Sequence, residues 1–283
     1  MNIDLNCVEC IINQSKRVGE TLHLPQDQAQ KLVETATTMS KDFSFSKTPP
    51  EVATPVYEAM AKILQTDDIY KEIKEKSTQK AKSFLPLLEK KLQNVDDRFM
   101  FALKVAVAGN VIDLASEVMF DLQEELEKVF ENDFAIDDSQ KLFSLLQKAK
   151  KVVVLGDNAG EHIFDSFAID IFKELFPQVV FYYFTRGKPI INDVTYEEAL
   201  EAGFSCKIVD SGVPTPGFVY DLANKEAQEL FDSADVVISK GMGNYECLSP
   251  SHKSPIAFLL KIKCNVVASS LAKELGGIVC EIL

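Results

Sequence analysis

Residues 152–161 read Val152-Val153-Val154-Leu155-Gly156-Asp157-Asn158-Ala159-Gly160-Glu161. Four apolar, mostly β-branched residues stop at a polar turn with a glycine at each side, and an amphipathic helix pattern follows over Gly160–Phe176. The change from a short apolar run to a helical period marks a strand feeding a helix. The succession recurs down the chain. Val179–Phe184 precedes a helix at Tyr196–Ala202, and Cys206–Val209 precedes one at Phe218–Phe231. Val236–Ser239 is followed by Pro255–Ile262, Val266–Ala268 by Leu271–Leu275, and Ile278–Ile282 closes the series. Repeated βα units predict an α/β fold, a doubly wound and mostly parallel sheet of about six strands with helices on both faces.

Upstream the texture differs. Gln26–Ser40 carries an apolar stripe at Ala29, Leu32, Val33 and Ala36, and Glu51 to about Gln65 follows Thr48-Pro49-Pro50, where proline sets a first helical turn. A lysine-rich helix from Asp67 toward Leu88 presents a solvated face, whereas Asp96–Phe120 is more apolar, with Ala102–Ala108 expected to be buried on most sides. The expected organisation is a helical region over 1–145 packed on an α/β region over 146–283.

Composition removes several functions. Of the 283 residues, 30 are basic and 43 acidic, a net charge of −13, which disfavours a nucleic-acid or anionic-membrane partner. The longest uncharged apolar runs fall far short of the ~20 residues of a membrane span. The first ten residues hold Asp4 and Glu9 and no basic stretch, so no secretory leader is expected. Of six cysteines, four are scattered singly, which reads as a reduced, cytoplasmic chain; Cys7-Val8-Glu9-Cys10 is the exception. One CxxC supplies two metal ligands or a redox pair, and equally two semi-buried thiols on a helix.

In a doubly wound sheet, ligands bind beyond the strand C-termini where strand order reverses. With the common order 3-2-1-4-5-6, the turns after Leu155 and Ser239 flank that crevice. The first lacks the glycine spacing of a dinucleotide fold and carries Asp157 and Glu161 instead. Bare carboxylates repel phosphate unless a cation stands between, and Asp157 and Asn158 are hard oxygen ligands for Mg²⁺ or Mn²⁺. Both are also favoured helix N-caps with no ligand at all. The second turn, Lys240-Gly241-Met242-Gly243-Asn244, joins a cation to glycines that let backbone approach an anion. A third stretch, Arg186–Thr195, brings Asn192 and Asp193, the latter a further ligand or the cap of the next helix. His162 reads as a helix-surface residue.

These blocks resemble the signature motifs of the damage-control phosphatases, the former domain of unknown function 89. Gly156–Glu161, Arg186–Thr195 and Lys240–Glu246 stand in the family's order, supported by Gly109-Asn110-Val111-Ile112-Asp113, by Thr48-Pro49-Pro50-Glu51 and by the Cys7-x-x-Cys10 of one prokaryotic-type branch. Asp68-Ile69-Tyr70 departs from the Asp-Pro-Tyr usual in that branch. The resemblance implies hydrolysis of small phosphorylated metabolites, sugar phosphates or damaged phosphometabolites, with one divalent ion (Mg²⁺, Mn²⁺, Co²⁺ or Ni²⁺). It implies metal ligation by Asp157, Asn158 and Asp193 and phosphate contacts from Lys240, Gly241, Gly243 and Asn244, with Asn110 and Asp113 lining the crevice. Lys240 is expected to stay charged and grip the phosphate. An S-adenosylmethionine-dependent carboxyl methyltransferase and a non-catalytic phosphometabolite-binding protein are the rival readings; the first normally needs a glycine-rich turn where Asp157-Asn158 stands.

Overall fold

The computed structural model describes residues 1–111, 119–249 and 254–283. Its strands are β1 (Ile136–Asp137), β2 (Lys151–Leu155), β3 (Val180–Thr185), β4 (Lys207–Asp210), β5 (Val236–Lys240), β6 (Ile256–Lys261) and β7 (Ile278–Ile282). They form one sheet in the order β1-β7-β6-β5-β2-β3-β4, parallel throughout except for the antiparallel β6–β7 pair. Chain order runs outward from β2 through β3 to β4, and outward the other way from β5 through β6 to β7. The reversal therefore falls between β2 and β5, where Leu155 is in register with Ser239.

The helices are α1 (Leu5–Thr21), α2 (Gln26–Met39), α3 (Pro49–Leu64), α4 (Lys71–Leu92), α5 (Arg98–Val111), α6 (Met119–Glu131), α7 (Ser139–Leu146), α8 (Glu161–Leu175), α9 (Tyr196–Ala202), α10 (Lys225–Asp232), α11 (Gly241–Leu248) and α12 (Asn265–Leu271). Strand β2 shows why the sheet is covered twice. Val152 and Val154 join the core beneath α5 and α8, while Val153 and Leu155 join the core formed with α10, α11 and α12. An apolar residue at every position, not every second one, is what burial on both faces requires. Helices α1, α2 and α3 make a third apolar cluster that reaches Ile190 beyond the end of β3. Helix α3 starts as its sequence suggests, with Pro49 and Pro50 in the first turn and Thr48 and Glu51 forming a reciprocal cap.

The structure corrects three readings. Pro255–Ile262 holds a strand, β6, rather than a helix; Ile256–Leu260 is fully buried between β5 and β7, and periodicity alone does not separate a buried strand from a buried helix. Val266–Ala268 lies in helix α12, whose first turn is capped by the Cys264 side chain accepting from the Val267 N–H, and Leu271–Leu275 holds only the end of that helix. The sheet begins inside the supposedly helical 1–145 region, because Ile136–Asp137 pairs with β7.

Helix α5 is the buried element its composition predicts, with Ala102, Leu103 and Val105–Ala108 all inside. It crosses α8 at a glycine: a Cβ on Gly109 would stand 2.9 Å from the Glu161 Cα. Asp113 and the side chain of Asn110 lie outside the described residues. A side chain at 109 would push α5 off the first turn of α8. Gly109→Leu is expected to lose about 1–3 kcal/mol of stability in urea unfolding, the usual cost of overpacking against backbone.

Candidate active site at the strand switch point

Beyond β2 the chain turns through Gly156–Gly160 and pairs with the segment that follows β3. Asn158 and Asp193 form an antiparallel bridge, the Val194 N–H donates to the Asp157 carbonyl (2.9 Å) and the Ala159 N–H to the Asn192 carbonyl (2.8 Å). Two stretches some thirty-five residues apart are thereby fixed side by side, with Asp157, Asn158 and Asp193 together. On the opposite wall is Gly241, at φ 77°, so close that a Cβ there would lie 2.0 Å from Asp157 Oδ2. Only glycine allows that backbone conformation and that approach. Just before Asp193 the chain passes through Ile191 at φ 48°, a strained conformation for a β-branched residue.

The site is rich in buried charge. The carboxylates of Asp157, Glu161, Asp165 and Asp193 are almost wholly inaccessible, as are the cations Arg186 and Lys240. Fully ionised, these six groups carry two excess negative charges. Burial pushes the Asp157 carboxyl well above the usual carboxylate range; Glu161 and Asp193 push the same way, while Arg186 and Lys263 oppose them. Burial likewise raises Asp193, to about 6, although the Arg186 guanidinium binds it. The Arg186 Nε donates to Asp193 Oδ2 at 2.7 Å. The Asn158 amide donates to both Asp157 Oδ2 (3.0 Å) and Glu161 Oε1 (2.7 Å), which turns its own carbonyl oxygen away from them.

Such a set of hard oxygens with a deficit of positive charge fits a divalent cation of the Mg²⁺ or Mn²⁺ kind. Among the described residues, no three Asp, Glu, His or Cys side chains are gathered as a ligand set. The set that the sequence singles out is two carboxylates and a carboxamide.

The Lys240 block differs from the sequence reading. It is not a loop: Lys240 ends β5 and caps α11, which starts at Gly241. The Lys240 ammonium, 1% exposed, points inward to Asp165 (2.5 Å) and lies 3.9 Å from Glu161. Burial works against its charge, but Asp165 and Glu161 hold its pKa above the ordinary lysine value. Asn244 is a bracket within the protein. Its amide donates to the Gly156 and Lys240 carbonyls, and its oxygen accepts from Arg186 Nη2 and the Phe218 N–H. All four of its hydrogen-bonding positions are thus taken, leaving none for a phosphate. Gly243 is small because a Cβ there would fall 2.1 Å from the Pro216 carbonyl.

Glu161, Asp165 and Arg186 complete the site; Glu161 and Arg186 stand in the sequence blocks without an assigned role, and Asp165 was not singled out. The spacing of Glu161 and Asp165, one turn apart on α8, is the signal that could have found the pair. His162 is a correction: it is fully buried, not on the surface. Its Nδ1 accepts from the Gly160 N–H (3.0 Å), which places its proton on Nε2. The thiols of Cys7 and Cys10 are free.

The chain matches the family model described as the damage-control phosphatase ARMT1-like domain over residues 3–279. It belongs to that family. A Pyrococcus horikoshii protein named a damage-control phosphatase is 35% identical over 286 residues, covering 99% of this chain and 98% of the relative. One of the same name from Archaeoglobus fulgidus is 30% identical over 292 residues and all of both chains. The crystal structure of a DUF89 family protein from P. horikoshii superposes with a TM-score of 0.91 at 33% identity, over 99% of this chain and 98% of that one. The family fold is therefore shared along the whole damage-control phosphatase domain. Among the described residues no helix is long and apolar enough to cross a membrane.

Two outcomes follow from the buried charges. Lys240→Met leaves Asp165 buried without its counter-charge and is expected to cost about 3–5 kcal/mol in denaturant unfolding, part of it recovered by Asp165→Asn in the same chain. Burial lowers His162 to about 3, below its unfolded value near 6.5, so the unfolded chain binds the proton first as pH falls. Stability should drop between pH 6.5 and 3, and His162→Gln should reduce that slope by up to about 1.4 kcal/mol per pH unit in unfolding titrations.

Proposed function

We propose that this protein is a metal-dependent phosphatase that hydrolyses small phosphorylated metabolites, sugar phosphates or damaged phosphometabolites. The observation that carries the reading is the excess of buried carboxylate at the switch point, faced by the glycine-bearing N-terminus of α11. Asp157, Asn158 and Asp193 would hold the ion, Mg²⁺, Mn²⁺, Co²⁺ or Ni²⁺. When bound, the ion neutralises phosphoryl oxygens as a Lewis acid.

The chain's own groups divide the remaining work. Arg186 holds one Asp193 oxygen, leaving the second for the ion. Asn158 is oriented by its two donations to Asp157 and Glu161. The first turn of α11, which carries no side-chain cap, would favour developing anionic charge, as helix N-termini do. Lys240 takes a different part from the one its position in the sequence suggests. Held by Asp165 and facing Glu161, it supplies positive potential from beneath. Water is the assigned nucleophile, because Asp157 and Asp193 are committed to the ion and to Arg186. An aspartyl route usually shows an Asp-x-Asp-x-Thr strand end, and this strand ends Gly-Asp-Asn-Ala.

The test is release of inorganic phosphate from a panel of small monoesters with each of the four metals. Turnover should vanish with EDTA, and no methyl group should pass from S-adenosylmethionine to a carboxylate under any condition. Metal-dependent turnover also separates the enzyme from a non-catalytic binder. Asp157→Asn should give a second, independent readout. It removes a carboxyl whose ionisation burial disfavours, so the metal-free variant should melt higher than the parent. The rise in melting temperature that Mn²⁺ confers on the parent should be lost. A variant that keeps full activity and the full metal shift would overturn the ligand assignment.

A further inference from the structure

Two motifs have no part in this scheme: Cys7-x-x-Cys10 on α1 and Thr48-Pro49-Pro50 at the start of α3. Both border one pocket of about 410 Å³ that opens beside the site. Its inner wall is Met242 and Gly243, next to the Gly241 that touches Asp157, with Ile191, two residues before Asp193. Lys263, whose charge acts on the Asp157 carboxyl, is also in that wall. A phosphoryl group held at Asp157 and the α11 N-terminus therefore has this pocket as its neighbour. A larger cavity of about 570 Å³ lies on the other side of Ile191. It is ringed by charged residues, among them Glu58, Lys62, Asp68 and Lys188, and no residue of α11 lines it.

Apolar and sulfur-bearing side chains predominate in the lining of the first pocket. Four of its side chains end in or contain sulfur: Cys7, Cys10, Met242 and Cys264. Thiols and thioethers are soft, polarisable and weak in hydrogen bonding. The sulfurs of Met242 and Cys264 already accept from the backbone N–H groups of Lys263 and Val267. Ile11, Pro50, Ala53 and Val266 supply apolar surface between them. The pocket's polar side chains are Asn6, Gln14, Glu246, Lys263 and Asn265, of which two are engaged locally. Gln14 accepts from Tyr57 and donates to Cys10, and the Asn6 amide donates to Asp4. Against the apolar and sulfur-bearing stretch between α1 and α3 a polyol would give up water with few partners in return, and each unpaired hydroxyl costs free energy; an alkyl group gains by burial.

We infer that this pocket takes the leaving group of the phosphomonoester and selects an apolar substituent over a polyhydroxylated one. The inference rests on the phosphatase reading and narrows its substrate class: phosphate esters with an alkyl or similarly apolar arm, cleaved at the terminal phosphate. Pro49, Pro50, Cys7 and Cys10 all line the arm's channel, which gives the two unused motifs one task.

The experiment compares ethyl, propyl, butyl and hexyl phosphate with glycerol 3-phosphate and a set of hexose phosphates, using the metal-loaded protein. The expected kcat/KM rises about fourfold per added methylene until the pocket is filled. Propyl phosphate should exceed glycerol 3-phosphate, its match in carbon count, by about tenfold or more. A flat alkyl series, or glycerol 3-phosphate and the hexose phosphates preferred, overturns the pocket assignment while leaving the phosphatase reading intact. Release of phosphate from none of these esters overturns the phosphatase reading itself. Labelling of the exposed Cys10 by N-ethylmaleimide, followed by mass spectrometry, gives a readout without turnover. Hexyl phosphate should slow that labelling and ethyl phosphate should not; equal rates would count against the pocket. Cys10→Glu, at an exposed position, should flatten the alkyl series, and an unchanged slope would remove Cys10 from the channel.

Discussion

The buried guanidinium of Arg186 is the tie on which the site depends. From the end of β3 it binds Asp193 on one side and Asn244 on the other. Asn244 in turn holds the carbonyls at the ends of β2 and β5 and the N–H of Phe218. Five segments thus meet through two side chains. A buried charge is tolerable only when it is matched and its remaining donors are occupied, so this arrangement admits few alternatives. Arginine suits the position because its planar fork addresses two acceptors in fixed directions, which a lysine does not.

Around that tie the protein keeps more negative charge than the buried cations neutralise. Burial above all raises the Asp157 and Asp193 carboxyls, and the neighbouring Glu161 adds to it, so the folded chain disfavours their ionised forms. Such a site lowers stability locally, which is the pattern expected of functional sites. The rest of the fold compensates. Strands β2 and β5 are buried on both faces, α5 presses on α8 at Gly109, and a fully paired Lys240–Asp165 ion pair lies under the carboxylates.

The helical region contributes at two places. Helices α1 and α3 wall the pocket beside the site. Farther along, Lys74 of α4 is buried between Asp68 (2.6 Å) and Glu198 (2.8 Å). The second oxygen of Glu198 receives the N–H and hydroxyl of Thr195, two residues after Asp193. A helix far off in sequence is thereby linked to the loop that carries a candidate ligand. That link explains a buried lysine in a helix whose other lysines read as a solvated face.

The sequence alone determined the layered α/β class and the turns that meet at the reversal, whereas the full strand order, with β6 and β1 in it, came from the structure. Strand identity is written in local runs such as Val152–Leu155, and handed crossovers leave few ways to arrange them. It also nominated Asp157, Asn158 and Asp193, hard oxygen-bearing side chains in the turns after β2 and β3 where the sheet places ligands. Only the tertiary structure decided the roles of Lys240, Asn244 and His162. Whether a side chain faces a ligand or is consumed by neighbours depends on contacts across 75, 58 or 88 residues of chain, as in Lys240–Asp165, Arg186–Asn244 and Asn244–Gly156. Local pattern carries no record of such partners. The same holds for β6, where burial on both faces erased the alternation that would have marked a strand.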